Sequence, residues 1–474
     1  MHNLVLFLAL SISSVWAAPM CSLRAASKSP SSASPTGGID NGNGKGGGGG
    51  GGGSTNNTLP TDVVATTWYA GWHASKFPLN KVSWKKYTSV TYAFALTTPD
   101  SATISLPDAS DEALLPQFVQ TAHQNNVKAI LTIGGWTGSI YFSTAVGSEA
   151  NRTAFAKACV DLVKKYDLDG LDFDWEYPGK QGLGCNIVNP NDSDNFLAFL
   201  KTLRADPTMT NLMITAATSI LPFVGTDGSP KSDVSEFAKV FDWIAIMNYD
   251  VWGSWSSSVG PNAPLNDTCS PSPQGSAVSA VKAWTAAGFP AGQLVLGVAA
   301  YGHSFFVSQT TAFATSSSDS SMSVSPNPSG TKAIAAYPAF DSHVQPQGDS
   351  WDEIAPAGVD QCGNPTDGGP SGVYNFWGLI EDGLLTSNGT AASGMGFRRD
   401  TCSQTPYVYN SAKQTMVSYD DPESFAAKGR FINEAGLLGF AMWEAAGDSN
   451  DMLLDSIENA MQLQQVGDDE CILY

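Results

Sequence analysis

The fold this sequence predicts is α/β: a (β/α)8 barrel of the TIM type, carrying an α+β insertion between its seventh and eighth strands. Three observations lead there. Eight short runs of apolar or β-branched residues recur from Asp62 onward. Amphipathic stretches of helical period lie between them. The spacing of the runs breaks only once, before the last of them. Strands alternating with helices form a parallel sheet covered by those helices, and eight such units close into a barrel.

The strand runs, in order, are Val63–Tyr69, Ser89–Ala95, Lys128–Ile133, Gly170–Trp175, Leu212–Ala217, Trp243–Met247, Leu294–Ala299 and Leu438–Trp443. Helical patterns fall at Ala113–Asn125, Asn151–Tyr166 and Asp194–Arg204. Most strand starts are about 25 to 50 residues apart, but the last two are about 140 apart. The excess, residues 304–405, is rich in Ser, Gly and Pro, contains a mixed stretch at Gly372–Asp382, and is expected to be the insertion. The barrel domain is expected to occupy residues 61–464. Functional side chains of such barrels sit at the C-terminal ends of the strands.

Ahead of the barrel, residues 1–18 hold an apolar run from Leu4 to Val15 and end in small residues. That is too short to span a bilayer and reads as a secretory signal. Residues 19–60 are rich in Ser, Gly, Pro and Asn and include an unbroken glycine run, Gly46 to Gly53. They read as a flexible leader. The expected product is secreted and extracellular, with no membrane partner. Five Asn-x-Ser/Thr triplets, at Asn56, Asn151, Asn191, Asn266 and Asn388, are possible glycan acceptors in such a protein.

A net charge of −20 repels polyphosphates, which argues against a nucleic-acid partner but would not affect an uncharged polymer. Only 14% of residues are charged, whereas there are 13 tryptophans and 47 glycines, which suits a large core and an aromatic-lined site. The seven cysteines leave at least one unpaired within a monomer, the expected state. Cys159 lies in an apolar helical stretch and is expected to be a buried free thiol. Cys185 and Cys269 lie in loops after the fourth and sixth strands, and Cys362 and Cys402 lie in the insertion. Bridges Cys185–Cys269 and Cys362–Cys402 are expected from that placement. No metal-ligand spacing occurs, and no metal or other cofactor is expected.

The most informative stretch is Asp169-Gly-Leu-Asp-Phe-Asp-Trp-Glu-Tyr-Pro-Gly179. Its period of two puts Asp172, Asp174 and Glu176 on one face of a strand and Leu171, Phe173 and Trp175 on the other. Carboxylates gathered on one face of a buried strand repel one another and are costly to desolvate. Such an array suits the raising of one carboxyl's pKa for acid catalysis. Glu176, nearest the strand's mouth, is the acid candidate. Asp169, at an odd offset, reads as a structural residue at the strand's start.

Asp169-x-x-Asp172-x-Asp174-x-Glu176 resembles the DxxDxDxE signature of glycoside hydrolase family 18, the chitinases. Thr132-Ile-Gly134-Gly135-Trp136 resembles the family's third-strand segment, with Thr where Ser is usual. Met247-Asn-Tyr249-Asp250, Tyr301-Gly-His303-Ser-Phe305 and Gly439-Phe-Ala-Met-Trp443 resemble its sixth-, seventh- and eighth-strand segments, with His303 in place of Arg. The resemblance implies a secreted chitinase that hydrolyses β-1,4-linked N-acetylglucosamine polymers by substrate-assisted, retaining catalysis (EC 3.2.1.14). Its partner would be chitin or chito-oligosaccharides.

The roles it implies are Glu176 as acid, Asp174 holding the substrate's acetamido group, Asp172 sharing a proton with Asp174, and Tyr249 contacting that acetamido group. Trp443 would floor the cleavage subsite, where an aromatic face packs on a sugar ring, with Asp250 contacting the sugar there. Tyr69, Trp136, Tyr177, Tyr301 and Trp252 complete the expected binding set, and Trp72 and Trp377 are further aromatic candidates. Two other functions share parts of this pattern. An endo-β-N-acetylglucosaminidase acting on N-glycans would share the acids. A chitin-binding lectin without activity would ordinarily lack the terminal acid, which is present here.

Overall fold

The computed structural model describes residues 24–25, 63–313 and 332–464. The expected signal segment, most of the leader with Asn56, and part of the expected insertion lie outside the described residues. Within the leader, Arg24–Ala25 pair antiparallel with Leu463–Gln464.

Eight strands form the barrel: β1 (Val64–Ala70), β2 (Ser89–Thr97), β3 (Lys128–Gly134), β4 (Gly170–Asp174), β5 (Met213–Thr218), β6 (Trp243–Ile246), β7 (Leu294–Ala299) and β8 (Gly439–Trp443). All neighbours are parallel, in ring order β1-β8-β7-β6-β5-β4-β3-β2, and β1 also pairs with β2 to close the ring. Each expected strand is present, with ends shifted by no more than two residues.

The helices begin and end where the local chemistry directs. Asp108 caps Ala109–Gln124 in a reciprocal box with Asp111, and Ser148 caps Glu149–Tyr166. Asp421 caps Pro422–Ala435, whose first residue is a proline that has no N–H to leave unpaired. That helix stops at Gly436, at φ 65°, where the absence of a side chain makes the left-handed turn inexpensive.

Two apolar layers hold the barrel. Side chains such as Leu171, Phe173 and Trp175 face outward into the main core, where Phe173 meets Phe196 and Phe199, and Trp175 stacks on Phe142. Trp68, Ala93, Ile130, Trp243, Ala245 and Val295 form a separate buried cluster. Asp172 and Asp174, on the opposite face of β4 from Phe173, are therefore buried as well.

The insertion is built on a six-stranded sheet in the order Lys332–Ala333, Gly396–Asp400, Thr405–Asn410, Thr415–Ser418, Tyr301–Phe306 and Val373–Asn375. A short helix, Phe376–Glu381, follows its edge strand. The sheet takes in Tyr301 and runs to Ser418, so it reaches past residues 304–405 at both ends.

The disulfides correct the expected pairing. Cys185 bonds to Cys362 and Cys269 to Cys402, so each bridge ties the insertion to a barrel loop instead of joining like to like. Position along the chain had suggested which cysteines share a face, but the insertion folds back against both loops. Cys159 is buried and free, as expected. Among the described residues no helix is long and apolar enough to cross a membrane.

Candidate active site

Strand register assembles the acid array. Asp172 on β4 pairs with Thr132 on β3 and Thr215 on β5. Parallel partners on one face lie side by side, so both hydroxyls reach the carboxylate. Thr132 Oγ1 donates to Asp172 Oδ2 at 2.8 Å and Thr215 Oγ1 to Oδ1 at 2.7 Å. Trp68 Nε1 in turn donates to Thr132 Oγ1. Burial pushes the Asp172 carboxyl up, and these donors pull it back.

One layer nearer the mouth, Asp174 pairs with Gly134 and Ala217. Neither neighbour has a polar side chain, and Asp174 Oδ1 is buried without a partner among the described residues. An orphaned carboxylate oxygen costs desolvation energy and is expected where a ligand will supply the donor. Burial first, then the charges of Glu176 and Asp172, hold the Asp174 carboxyl well above the usual carboxylate range. Gly134 must be glycine: its φ is 113°, and a Cβ there would lie 2.1 Å from Asp174 O.

Glu176 lies at the mouth of β4, partly exposed. Its carboxyl is pushed up to about 7, chiefly by burial; Tyr177 opposes the shift and the Asp250 charge adds to it. The backbone around it is pinned. Glu176 N donates to Ser139 Oγ at 3.0 Å, and Asn186 Nδ2 donates to Glu176 O at 2.8 Å. Asp169 is at the other end of β4, accepting from Ala129 N at 2.7 Å and contacting His123 Nε2 at 2.9 Å, a structural residue as expected.

Across the mouth, Tyr249 packs edge-on against Tyr301, and its hydroxyl is kept protonated by burial and by the Asp174, Asp250 and Glu176 charges. Asp250 Oδ1 accepts from Tyr301 Oη at 2.7 Å and meets His303 Nε2 at 2.7 Å. His303 thus occupies, with a shorter side chain, the place of the Arg usual in the resembled pattern. Trp443 packs against Trp68, Trp72 and Phe94, forming an aromatic floor. A cavity of about 400 Å3 opens beside it, lined by Trp72, Asp250, Tyr301, His303, Trp351 and Trp443 among others.

Of the expected binding residues, Asp250, Tyr301 and Trp443 line this cavity, and Trp136 is 48% exposed on the short helix Gly135–Gly138 that follows β3. Tyr177 follows Glu176 directly. Two are not available. Tyr69 is 1% exposed, stacked on Phe118 with its hydroxyl on Phe77 O. It points out of the barrel into the main core because it has the outward parity of β1. Trp252 is 2% exposed, packed against Tyr337 and so close to Gly260 that a Cβ there would strike the indole. Trp255, three residues on, is 62% exposed and lies over His303 instead.

Sequence reasoning also missed Trp351, which packs on His73 and Trp377, and Glu444, whose Oε1 is 3.1 Å from His73 Nδ1. Glu444 follows directly on the eighth-strand motif and could have been found from it. Trp351 lies in the insertion, where no strand periodicity placed it.

The model for "Glycosyl hydrolases family 18" matches residues 65–448. The chain belongs to glycoside hydrolase family 18. Among curated proteins, a "chitinase-like effector" of Moniliophthora roreri is 51% identical over 398 residues, 84% of this chain and 92% of that protein. Among solved structures, a chitinase from Rhizomucor miehei superposes with a TM-score of 0.71 at 31% identity, covering 84% of this chain and 100% of that one. A chitinase of Cycas revoluta in complex with (GlcNAc)3 shares the fold, with a TM-score of 0.62 at 22% identity, over 84% of this chain and 99% of that one. The matched region includes the whole acid array and all eight barrel strands except the first residue of β1.

Proposed function

We propose that this family 18 protein is a secreted chitinase, cleaving β-1,4-linked N-acetylglucosamine polymers with retention of configuration and with the substrate's own acetamido group as nucleophile. The observation that carries the reading is the pairing of a protonatable acid with an orphaned neighbour. Glu176 keeps its proton to about pH 7, and Asp174 Oδ1 waits buried without a donor.

In the reaction Glu176 gives its proton to the glycosidic oxygen as the bond from that oxygen to the anomeric carbon breaks. The acetamido carbonyl oxygen forms the new bond to that carbon from the opposite face, giving a cationic oxazolinium ring. Asp174 accepts the acetamido N–H and spreads the charge, and Tyr249 donates to the carbonyl oxygen. Asp172, held by Thr132 and Thr215, shares a proton with Asp174 and helps to place the charge there. Water then attacks the anomeric carbon, returns a proton to Glu176 and opens the ring. Trp443 supports the sugar from below. Most glycosidases use a carboxylate pair for these steps, and family 18 is a recognised exception.

The test is partly deacetylated chitosan. A glucosamine at the cleavage subsite has no carbonyl oxygen to attack, so nearly every new reducing end should be N-acetylglucosamine. Frequent glucosamine at those ends, or an α-anomer as the first-formed product, would overturn the mechanism.

A second reading, chitin binding without turnover, is favoured by the name of the Moniliophthora relative. The intact array argues for turnover. Release of reducing ends from an N-acetylglucosamine pentamer separates the two.

A further inference from the structure

Between its strands at Lys332–Ala333 and Val373–Asn375 the insertion sends out a ribbon that crosses to the far side of the barrel mouth. Its root is anchored by Asp352, whose Oδ2 accepts from Gly348 N at 2.7 Å and Gly372 N at 2.8 Å, and whose Oδ1 accepts from Ser371 N at 2.8 Å. Ala355 bridges to Gly369, and beyond them Gly358–Val359 pair antiparallel with Pro365–Thr366. The ribbon is exposed over most of its length. Its tip turns around the Asp360 carboxylate, which accepts from Cys362 N and Asn364 N.

The ribbon touches the barrel at three places on its mouth. Near its root, Glu353 is 3.5 Å from Lys76 on the loop after β1. At its tip, Gln361 Nε2 donates to Thr137 O, on the short helix Gly135–Gly138 after β3, at 2.9 Å. Cys362 is bonded to Cys185 on the loop after β4, with the two Cα atoms 5.4 Å apart. The insertion leaves the barrel between β7 and β8, and β4 stands three places from β7 around the ring of eight. Chain and disulfide together therefore join opposite sides of the mouth in a covalently closed loop.

That closure is placed where a polymer would lie. Near two of the three anchors stands an exposed tryptophan: Trp136 precedes Thr137, and Trp72 precedes His73, on which Trp351 packs. The bonded Cys185 adjoins Asn186, which holds the backbone of Glu176. Ile354 and Val359 on the ribbon are 63% and 72% exposed, apolar surface that nothing among the described residues covers.

We propose that the ribbon is a strap over the substrate groove, locked by Cys185–Cys362, so that a polymer enters by a free end and cannot drop in along its length. This rests on the reading of the site as a chitin hydrolase. It makes the strap a determinant of specificity: chain ends and short oligomers are accepted, and the interior of a long chain is refused.

The experiment compares wild type with Cys362→Ser on soluble, highly acetylated chitosan of high molecular weight, recording viscosity and reducing ends together. Wild type should release many reducing ends for little loss of viscosity. Cys362→Ser should lose several-fold more viscosity per end released, with its rate on the N-acetylglucosamine pentamer unchanged. Equal ratios in the two proteins would overturn the proposal. The pentamer rate and the melting temperature report whether the variant is folded. If the variant does not fold, wild type opened by mild reductant, with Cys185 and Cys362 confirmed as free thiols, replaces it in the same comparison.

Should wild type fail to cleave the pentamer, the hydrolase reading falls while the strap is tested by binding. A chitin hexamer fixed to a sensor by one end should bind wild type, and the same hexamer fixed by both ends should not. Equal binding to the two would refute the strap.

Discussion

Glu176→Gln replaces a carboxyl that titrates near neutral pH with an amide of the same shape that has no proton to give. Burial, helped by the Asp250 charge, holds the carboxyl up to about 7 against an ordinary 4.5. About 99% of the wild-type acid should therefore be protonated at pH 5 and about a tenth at pH 8. Initial rates of reducing-end release from the pentamer, measured from pH 4 to 9, should show a plateau that falls about tenfold per unit above about pH 7. Glu176→Gln should lose about 10²- to 10⁴-fold at the plateau and show no such limb. Asp250→Asn removes a charge that raises this pKa, so its limb should move to lower pH.

The same titration has a second readout in stability. A carboxyl raised on folding binds its proton more tightly in the native state, so the stability it carries is full below about pH 4.5 and is lost as pH rises to about 7. A shift of 2.5 units, from 4.5 to about 7, corresponds to about 3 kcal/mol at most. Glu176→Gln cannot ionise, so it should melt above wild type at pH 8 and lose that advantage at pH 4. More than a tenth of wild-type activity in the variant, a rate flat to pH 9, or parallel melting curves would refute the reasoning.

Thr215→Val removes the donor to Asp172 Oδ1 and leaves that buried oxygen unpaired, at a cost of about 1–3 kcal/mol. Thermal unfolding should show the loss, and pentamer turnover should fall because the charge beneath Asp174 becomes harder to hold. Glu458, on the helix Met452–Met461, is 8% exposed with Oε1 unpartnered among the described residues, and burial pushes its carboxyl up to about 8. By the same sign, Glu458→Gln should raise the melting temperature by several degrees above pH 8 and by much less at pH 4, with pentamer activity unchanged.

The acid array was legible because it lies in one strand. Alternation put Asp172, Asp174 and Glu176 on one face and Phe173 on the other, and the barrel buries both faces as that parity requires. The partners of Asp172 were not legible. Thr132 and Thr215 are separated from it by 40 and 43 positions and meet it only through strand register. The aromatic assignments divided for a related reason. Trp443 follows from its place at the end of β8, whereas Tyr69 was misjudged because its parity on β1 sends it into the core, and Trp252 because a loop has no parity to read.

By itself the sequence determined the eight strands, their order along the chain, the place of the insertion and the gathering of Asp172, Asp174 and Glu176 along one strand, since each depends on residues near one another in the chain. Only the tertiary structure decided what distant segments do together. It paired Cys185 with Cys362 and Cys269 with Cys402, brought His303 to Asp250, set Trp255 and Trp351 at the cleft, and carried the ribbon across the mouth. The physical reason is that periodicity and capping are local interactions written in adjacent residues. The insertion's position depends on packing among surfaces that exist only once the barrel has closed.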